Sequence, residues 1–194
     1  MFFDTAQLDV IAPGLIAQPW NEVEVLGSAT WLWMHSRLHQ NLPIKTLSAL
    51  LLPALKHRQF ILASEAGRPV FYLAWANLNL EAEERYLKDH PVHMQHEDWN
   101  SGERGWILDW IAPFGHTQVM SRLLTRQLFA NRFMRHLYHR GHELDSAGLK
   151  RGLTVKEFCG RAVLPQASRE WFATHPIATT PTSHRHTLTH RDFS

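Results

Sequence analysis

The sequence predicts an α+β (mixed α/β) fold, on three observations. Gln59 to Ser64 (QFILAS) and Pro69 to Ala76 (PVFYLAWA) are apolar, β-rich runs separated by the turn Ala66-Gly67-Arg68, the signature of a hairpin. Gly102 to Gly115 reads GERGWILDWIAPFG, a Trp/Ile-rich run closed by Pro113 and Gly115, and so a buried strand. Between and around these runs lie segments with helical rather than alternating periodicity. Strands interleaved with helices and hairpins give a sheet with helices packed against it.

The elements follow in order. Residues 1–20 contain Pro13, Gly14 and Pro19 and are expected to be an N-terminal extension with at most local structure. Glu22 to Gln40 carries a helix starting near Gly27, with Ser28 as its candidate N-cap. His35 and His39, four apart, would share one face of that helix. Such a pair can be half of a metal site, but no third ligand stands nearby in a recognisable motif, so a capping or surface role is the plainer reading. Thr46 to His57 is an apolar helix that Pro53 should kink or end. Leu80 to Asp89 is an amphipathic helix with an acidic first turn, and His90 to Glu103 is a polar loop. Val119 to Ala130 is a helix with Leu123, Leu124 and Leu128 as its buried stripe. Phe133 to His139 suits an exposed-edge strand, and Leu153 to Cys159 alternates likewise, with Gly141 to Gly152 as the loop between them. Residues 21–172 thus form a single domain. Residues 173–194, rich in Thr, Pro and His, lack hydrophobic periodicity and read as a disordered tail.

Composition narrows the class. A length of 194 residues supports one domain with a real core. The net charge of +2 excludes a nucleic-acid polycation. The single Cys159 excludes an internal disulfide framework and reads as a small buried hydrophobe. No run approaches the ~20 apolar residues of a membrane helix, and the N-terminus has no secretory pattern, so the cytosol is the expected setting. Charge is uneven: His116 to Arg161 holds nine Lys and Arg against three acids, which suggests an acidic partner. The one residue in the central run that needs explaining is Asp109. On a strand it points with Ile107 and Ile111, away from Trp106, Leu108 and Trp110, and a carboxylate there is costly unless something pairs with it.

Three blocks carry a family resemblance. EVLGSATWLWMHSRLHQNLP from Glu24, PVFYLAWANLNLEAEERYL from Pro69 and EDWNSGERGWILDWIAPFG from Glu97 resemble, in the same order, the RTX toxin-activating lysine acyltransferases. The resemblance covers roughly Glu24 to Ala162. It implies a fold like the Gcn5-type N-acetyltransferases, with a central mixed sheet and helices on both faces. It also implies an enzyme that moves a fatty acyl group from acyl carrier protein to internal lysines of an RTX protoxin, with no bound cofactor and no metal, and a possible homodimer. By position in the motifs, His39 and Asp109 match the family's essential residues, and Ser36 and Tyr72 match its Ser and Tyr; His35 receives no role.

Those residue types suit the chemistry. A lysine amine, with an ordinary pKa near ~10.4, is mostly protonated at neutral pH. His39 can act as general base for direct attack by the lysine, and a carboxylate in a desolvated strand can orient it and stabilise its charged form; the other route, in which the His attacks the thioester first and an acyl-enzyme forms, is not decided by the sequence. Arg122, Arg126, Arg132 and Arg135 are candidates for docking the acidic carrier protein and its phosphate. After the central strand the chain reads HTQVMSRLLTRQLF, without the Gly-rich loop that holds a coenzyme A pyrophosphate. Trp31, Trp33, Trp75 and Trp110 are candidates to line an apolar slot for the acyl chain, or are core. A non-catalytic chaperone that binds the toxin or acyl carrier protein is the alternative reading.

Overall fold

A computed structural model describes residues 2–3, 8–89, 91–138, 154–178 and 186–187. Eight strands form one mixed sheet in chain order: β1 (Phe2–Phe3), β2 (Leu8–Ile11), β3 (Phe60–Glu65), β4 (Arg68–Leu78), β5 (Arg104–Ile111), β6 (Phe133–Tyr138), β7 (Thr154–Cys159) and β8 (His186–Thr187). The pairs β1–β2, β2–β3, β3–β4 and β6–β7 are antiparallel, and β5–β6 and β7–β8 are parallel. Helices flank the sheet: α1 (Glu22–His35), α2 (Thr46–Leu50), α3 (Leu52–Lys56), α4 (Leu80–Lys88), α5 (Thr117–Leu123) and α6 (Pro165–Thr174). This is the mixed α/β architecture expected, consistent with a Gcn5-type N-acetyltransferase-like fold. The chain divides into two compact units, Met1–Trp75 with Leu108–Arg122, and Ala76–Ile107 with Leu123–Ser194.

In the first unit, β2 pairs along its whole length with β3, Leu8 opposite Glu65 through Ile11 opposite Leu62. Leu8 and Val10 are buried and Asp9 is exposed. The first twenty residues therefore hold more than the local structure expected of an extension: they add a strand to the sheet. Helix α1 begins six residues before the expected cap. Asn21 is the N-cap, its side-chain oxygen accepting from the Val23 and Glu24 N–H groups, with Glu22 and Glu24 favoured in the positive first turn. Ser28 lies inside the helix. Val25, Ala29, Leu32 and Trp33 form its buried stripe. The helix stops at His35, because Ser36 turns to extended backbone (φ −93°, ψ 125°). His35 and His39 thus do not share a helix face. Pro53 breaks the next apolar helix as expected, standing in the first turn of α3. The β3–β4 hairpin turns on Ala66 and Gly67, both at positive φ (48° and 78°), the two-residue turn that matches strand twist. Val70 is an extra residue in β4, since Ala63 faces Phe71 and Ser64 faces Pro69.

In the second unit, β6 lies between β5 and β7, so it is an interior strand and not the exposed edge expected. Its alternation reflects a buried cation, Arg135, whose side chain is 0% exposed. Arg135 donates to Glu83 Oε1 through Nη1 (2.9 Å), to Glu157 Oε1 through Nε (3.1 Å) and to the His175 carbonyl through Nη2. Glu83, on α4, is also fully buried and accepts from Arg104 (2.9 Å), Trp106 Nε1 (2.7 Å) and the Ala178 N–H (3.1 Å). The segment expected as a polar loop contains two short 3₁₀ turns, Pro91–His93 and His96–Trp99, the second burying Trp99 and pairing Asp98 with Arg85. The expected Val119–Ala130 helix is α5 followed by a π turn, Leu124–Leu128, and Thr125 O accepts from the Arg161 N–H at 2.8 Å. The Gly141–Gly152 loop and most of the 173–194 tail lie outside the described residues; Ala173 and Thr174 close α6.

Among the described residues no helix is long and apolar enough to cross a membrane, and no group of three or more His, Cys, Asp or Glu could hold a metal ion. Cys159 is free and half-buried.

Candidate active site

Ser36 ends α1 by donating its N–H to the Trp33 carbonyl (3.0 Å), and its own carbonyl accepts from the His39 and Gln40 N–H groups. The chain doubles back, so His39 sits beside the helix end it has just left. The Trp33 ring, buried in α1, lies 4.8 Å from the His39 ring and fixes one side of it. His39 Nδ1 is 2.7 Å from Ser36 Oγ, and His39 Nε2 is 3.0 Å from Asp109 Oδ1 on β5. Ser36, His39 and Asp109 form one hydrogen-bonded chain built from a helix end, a turn and a strand. The His39 and Asp109 side chains are 13% and 16% exposed, so the pair is largely desolvated yet reachable. The carboxylate that needed a partner has one.

The polarity of that chain follows from the donors. An ionised carboxylate only accepts, so His39 Nε2 carries the hydrogen toward Asp109. In the neutral ring the lone pair is then on Nδ1, facing the Ser36 hydroxyl, which donates to it. Burial is the largest influence on the imidazole and disfavours its charge. The Asp109 charge and hydrogen bond together outweigh burial, and the His39 pKa stands above its ordinary 6.5.

Tyr72, on β4, is fully buried, and its hydroxyl has no hydrogen-bond partner among the described residues. Burial first, and the Asp109 charge second, push its pKa well above 10, so the phenol stays protonated. A buried O–H without an acceptor is uncommon, and this one lies within the electrostatic reach of the site carboxylate. Asp109 itself is held by its neighbours on β5: Ile107 and Ile111 are buried, and Trp110 packs edge-on against Phe71 at 5.0 Å.

The other candidates divide. Arg122 and Arg126 are exposed. Arg132 is half-buried over the Phe129 ring, and burial lowers its pKa. Arg135 cannot dock a partner, because its guanidinium is buried and held by Glu83 and Glu157. Of the four Trp residues proposed for an acyl slot, Trp33 and Trp75 are core, while Trp31 and Trp110 are half-exposed. His35 is exposed in the last turn of α1, its Nδ1 donating to the Trp31 carbonyl at 2.8 Å. The role of Trp33 as a wall for His39 was not anticipated: its spacing from His39 becomes meaningful only once the helix is known to end between them.

Comparison with known proteins places the chain in a family. Residues 18–151 match the RTX toxin acyltransferase family. The chain is 41% identical over 138 residues to the protein-lysine myristoyltransferase RtxC of Kingella kingae, covering 71% of this chain and 77% of that protein. It is 35% identical over 151 residues to a leukotoxin-activating lysine-acyltransferase LktC of a Pasteurella haemolytica-like species, covering 72% and 91%. It is 41% identical over 107 residues to the serotype T3 LktC of Mannheimia haemolytica, covering 55% of this chain and a little under two thirds, 64%, of that relative. On the extent of the family match and these identities, the chain belongs to the RTX toxin acyltransferase family.

Proposed function

We propose that the chain is a protein-lysine fatty acyltransferase. It moves an acyl group from the thioester of acyl carrier protein to internal lysine ε-amines of an RTX-type protoxin and so activates it. The observation that carries the reading is the Ser36–His39–Asp109 chain, which joins the HSRLH and DWIAPFG motifs at hydrogen-bond distance.

In the proposed reaction the lysine ammonium loses a proton, its nitrogen lone pair attacks the thioester carbonyl, and the C–N bond forms as the C–S bond breaks. His39 receives the amine proton at Nδ1, with the Ser36 hydroxyl as the relay that already faces that nitrogen. Asp109 stabilises the imidazolium and fixes the tautomer. Amide formation takes two protons from the ammonium: one leaves to solvent before attack, and the second, received by His39 as the C–N bond forms, ends on the departing thiolate. Tyr72 contributes a buried donor, the kind of group that stabilises negative charge developing on a carbonyl oxygen. The exposed Arg122 and Arg126, with Arg132, remain the docking residues for the acidic carrier protein.

The test is intact mass spectrometry of a protoxin fragment incubated with the chain and acyl carrier protein loaded with a fatty acid. A mass increase of one acyl group per modified lysine is the expected result. Stable binding of the protoxin with no added mass would favour the chaperone reading and sink this one. Transfer from acyl-coenzyme A alone would reassign the donor.

A further inference from the structure

A second feature of the first unit has no part in the proton transfer. Arg68, the exposed first residue of β4, lays its guanidinium over the Phe114 ring at 4.1 Å and over the Trp31 ring at 5.4 Å. The two rings lie 5.6 Å apart at 38°. His35 completes the cluster, 4.2 Å from Trp31 and 5.5 Å from Phe114, and its Nδ1 hydrogen bond to the Trp31 carbonyl fixes the ring. Among the described residues no carboxylate pairs with Arg68. An unpaired guanidinium on a solvated surface ordinarily moves freely. Here two aromatic rings flank the guanidinium, and its N–H groups donate to no side chain or carbonyl among the described residues, which leaves them for the two parallel hydrogen bonds by which an arginine receives a phosphate.

Its place in the chain suits an anchor for a long donor. Arg68 is four residues before Tyr72 on β4, about 13 Å along a strand. Phe114 is five residues after Asp109, just past the end of β5. The cluster is therefore tied covalently to both strands that carry site residues, but stands off from the reacting atoms. The donor proposed above has this shape: a thioester at one end of a flexible pantetheine arm and a single phosphate at the other.

We propose that Arg68, held by Phe114 and Trp31, is the clamp for the phosphate of the donor's phosphopantetheine arm. The proposal rests on the acyl-carrier-protein reading of the site. It adds a specificity determinant that charge composition did not reveal, since Arg68 lies outside the basic segment.

The test uses the full chain and two probes, 4′-phosphopantetheine and pantetheine, with binding followed by calorimetry and by tryptophan fluorescence. The phosphorylated arm should bind at least about tenfold more tightly than pantetheine. Arg68→Gln should erase that preference, and Arg68→Lys should restore only part of it, because a point charge lacks the fork. Equal binding of the two probes by the wild type, no binding of either at millimolar concentration, or a preference that survives Arg68→Gln would each overturn the clamp. With acyl carrier protein as donor, Arg68→Gln should raise KM about tenfold and leave kcat within twofold. A raised KM together with an unchanged phosphate preference would place Arg68 against an acidic side chain of the carrier and overturn the phosphate assignment. The binding arm needs no turnover: Arg68-dependent phosphate binding by a chain that moves no acyl group would sink the acyltransferase reading and leave the clamp standing.

Discussion

The first and second units each hold a desolvated ionic cluster, and the two are finished differently. In the second unit Glu83 is fully buried and accepts from two arginines, an indole N–H and a backbone N–H. Its acceptor capacity is filled and nothing can approach it. In the first unit His39 and Asp109 keep 13% and 16% of their side-chain surface, the basic nitrogen of His39 faces a small hydroxyl, and the Tyr72 O–H, within the electrostatic reach of Asp109, has no acceptor among the described residues. A satisfied buried cluster holds a fold together. A cluster with an open face and a spare donor is arranged to receive something. Burial of charge does not separate these cases; the accounting of hydrogen bonds does.

The largest expected effect is on chemistry in the first unit. His39→Ala should lower acyl transfer by about 10²- to 10⁴-fold, the range of a general base, with little change in unfolding temperature because the side chain lines an open site. Asp109→Asn should fall in the same range. Acylation rates beside thermal melts decide this, and wild-type rates in either variant would remove the pair from the mechanism. Glu83→Gln should do the reverse. It leaves Arg135 and Arg104 buried against a neutral amide and should cost about 3–5 kcal/mol of stability, read by denaturant unfolding. If Glu83→Gln unfolds no more easily than the wild type, the contrast between the two clusters fails.

The pH dependence sharpens the same contrast. Neutral His39 is the base, so transfer should rise with pH through an inflection above 6.5, as its raised pKa requires. Asp109→Asn removes the charge and the charge-assisted bond and leaves burial alone, which disfavours the imidazolium. The imidazole titration, followed by NMR, should then shift to below 6.5. For stability the sign runs the other way. A group whose folded pKa is raised stabilises the fold fully below its unfolded value near 6.5, and that contribution fades as pH rises through the folded value. The wild type should therefore lose a small increment of stability across that window, and Asp109→Asn should not.

Much of this arrangement was legible in the sequence, for specific reasons. The β3–β4 hairpin was visible because Ala66-Gly67 between two apolar runs leaves little choice of turn. Asp109 stood out because one carboxylate in an apolar strand demands a partner; the spacing of the chain could not name that partner, and the resemblance to a family could. Burial of charge was not legible. Arg135 counts as one more cation in a basic segment, and Glu83 as one more acid in an amphipathic first turn. Only the pairing of α4 with a strand 52 residues later makes both of them core. Helix α1 was misread at its start because Ser28 is as good a cap in composition as Asn21. What decides between them is that Val25, four residues before Ala29, belongs to the buried stripe. The strand Leu8–Ile11 is four residues with an acid inside it, too short for periodicity to speak.

The smallest effect tests the open face most directly. Tyr72→Phe deletes a hydroxyl that has no partner among the described residues, so no hydrogen bond among them is lost and a desolvated polar group is removed. Stability should stay within about 0.5 kcal/mol of the wild type or rise slightly, the behaviour of a substitution that leaves no cavity and no orphaned donor. If the O–H serves the reaction, acyl transfer should nonetheless fall about tenfold, a loss of about 1.4 kcal/mol confined to the transition state. The fall should appear in kcat with KM little changed, since the hydroxyl would act on charge that develops only as the thioester carbonyl is attacked. Equal loss of stability and activity would mean that Tyr72 belongs with Glu83, as a residue that holds the fold. An unchanged rate would leave the orphaned hydroxyl without a chemical purpose and close the face that distinguishes the two clusters.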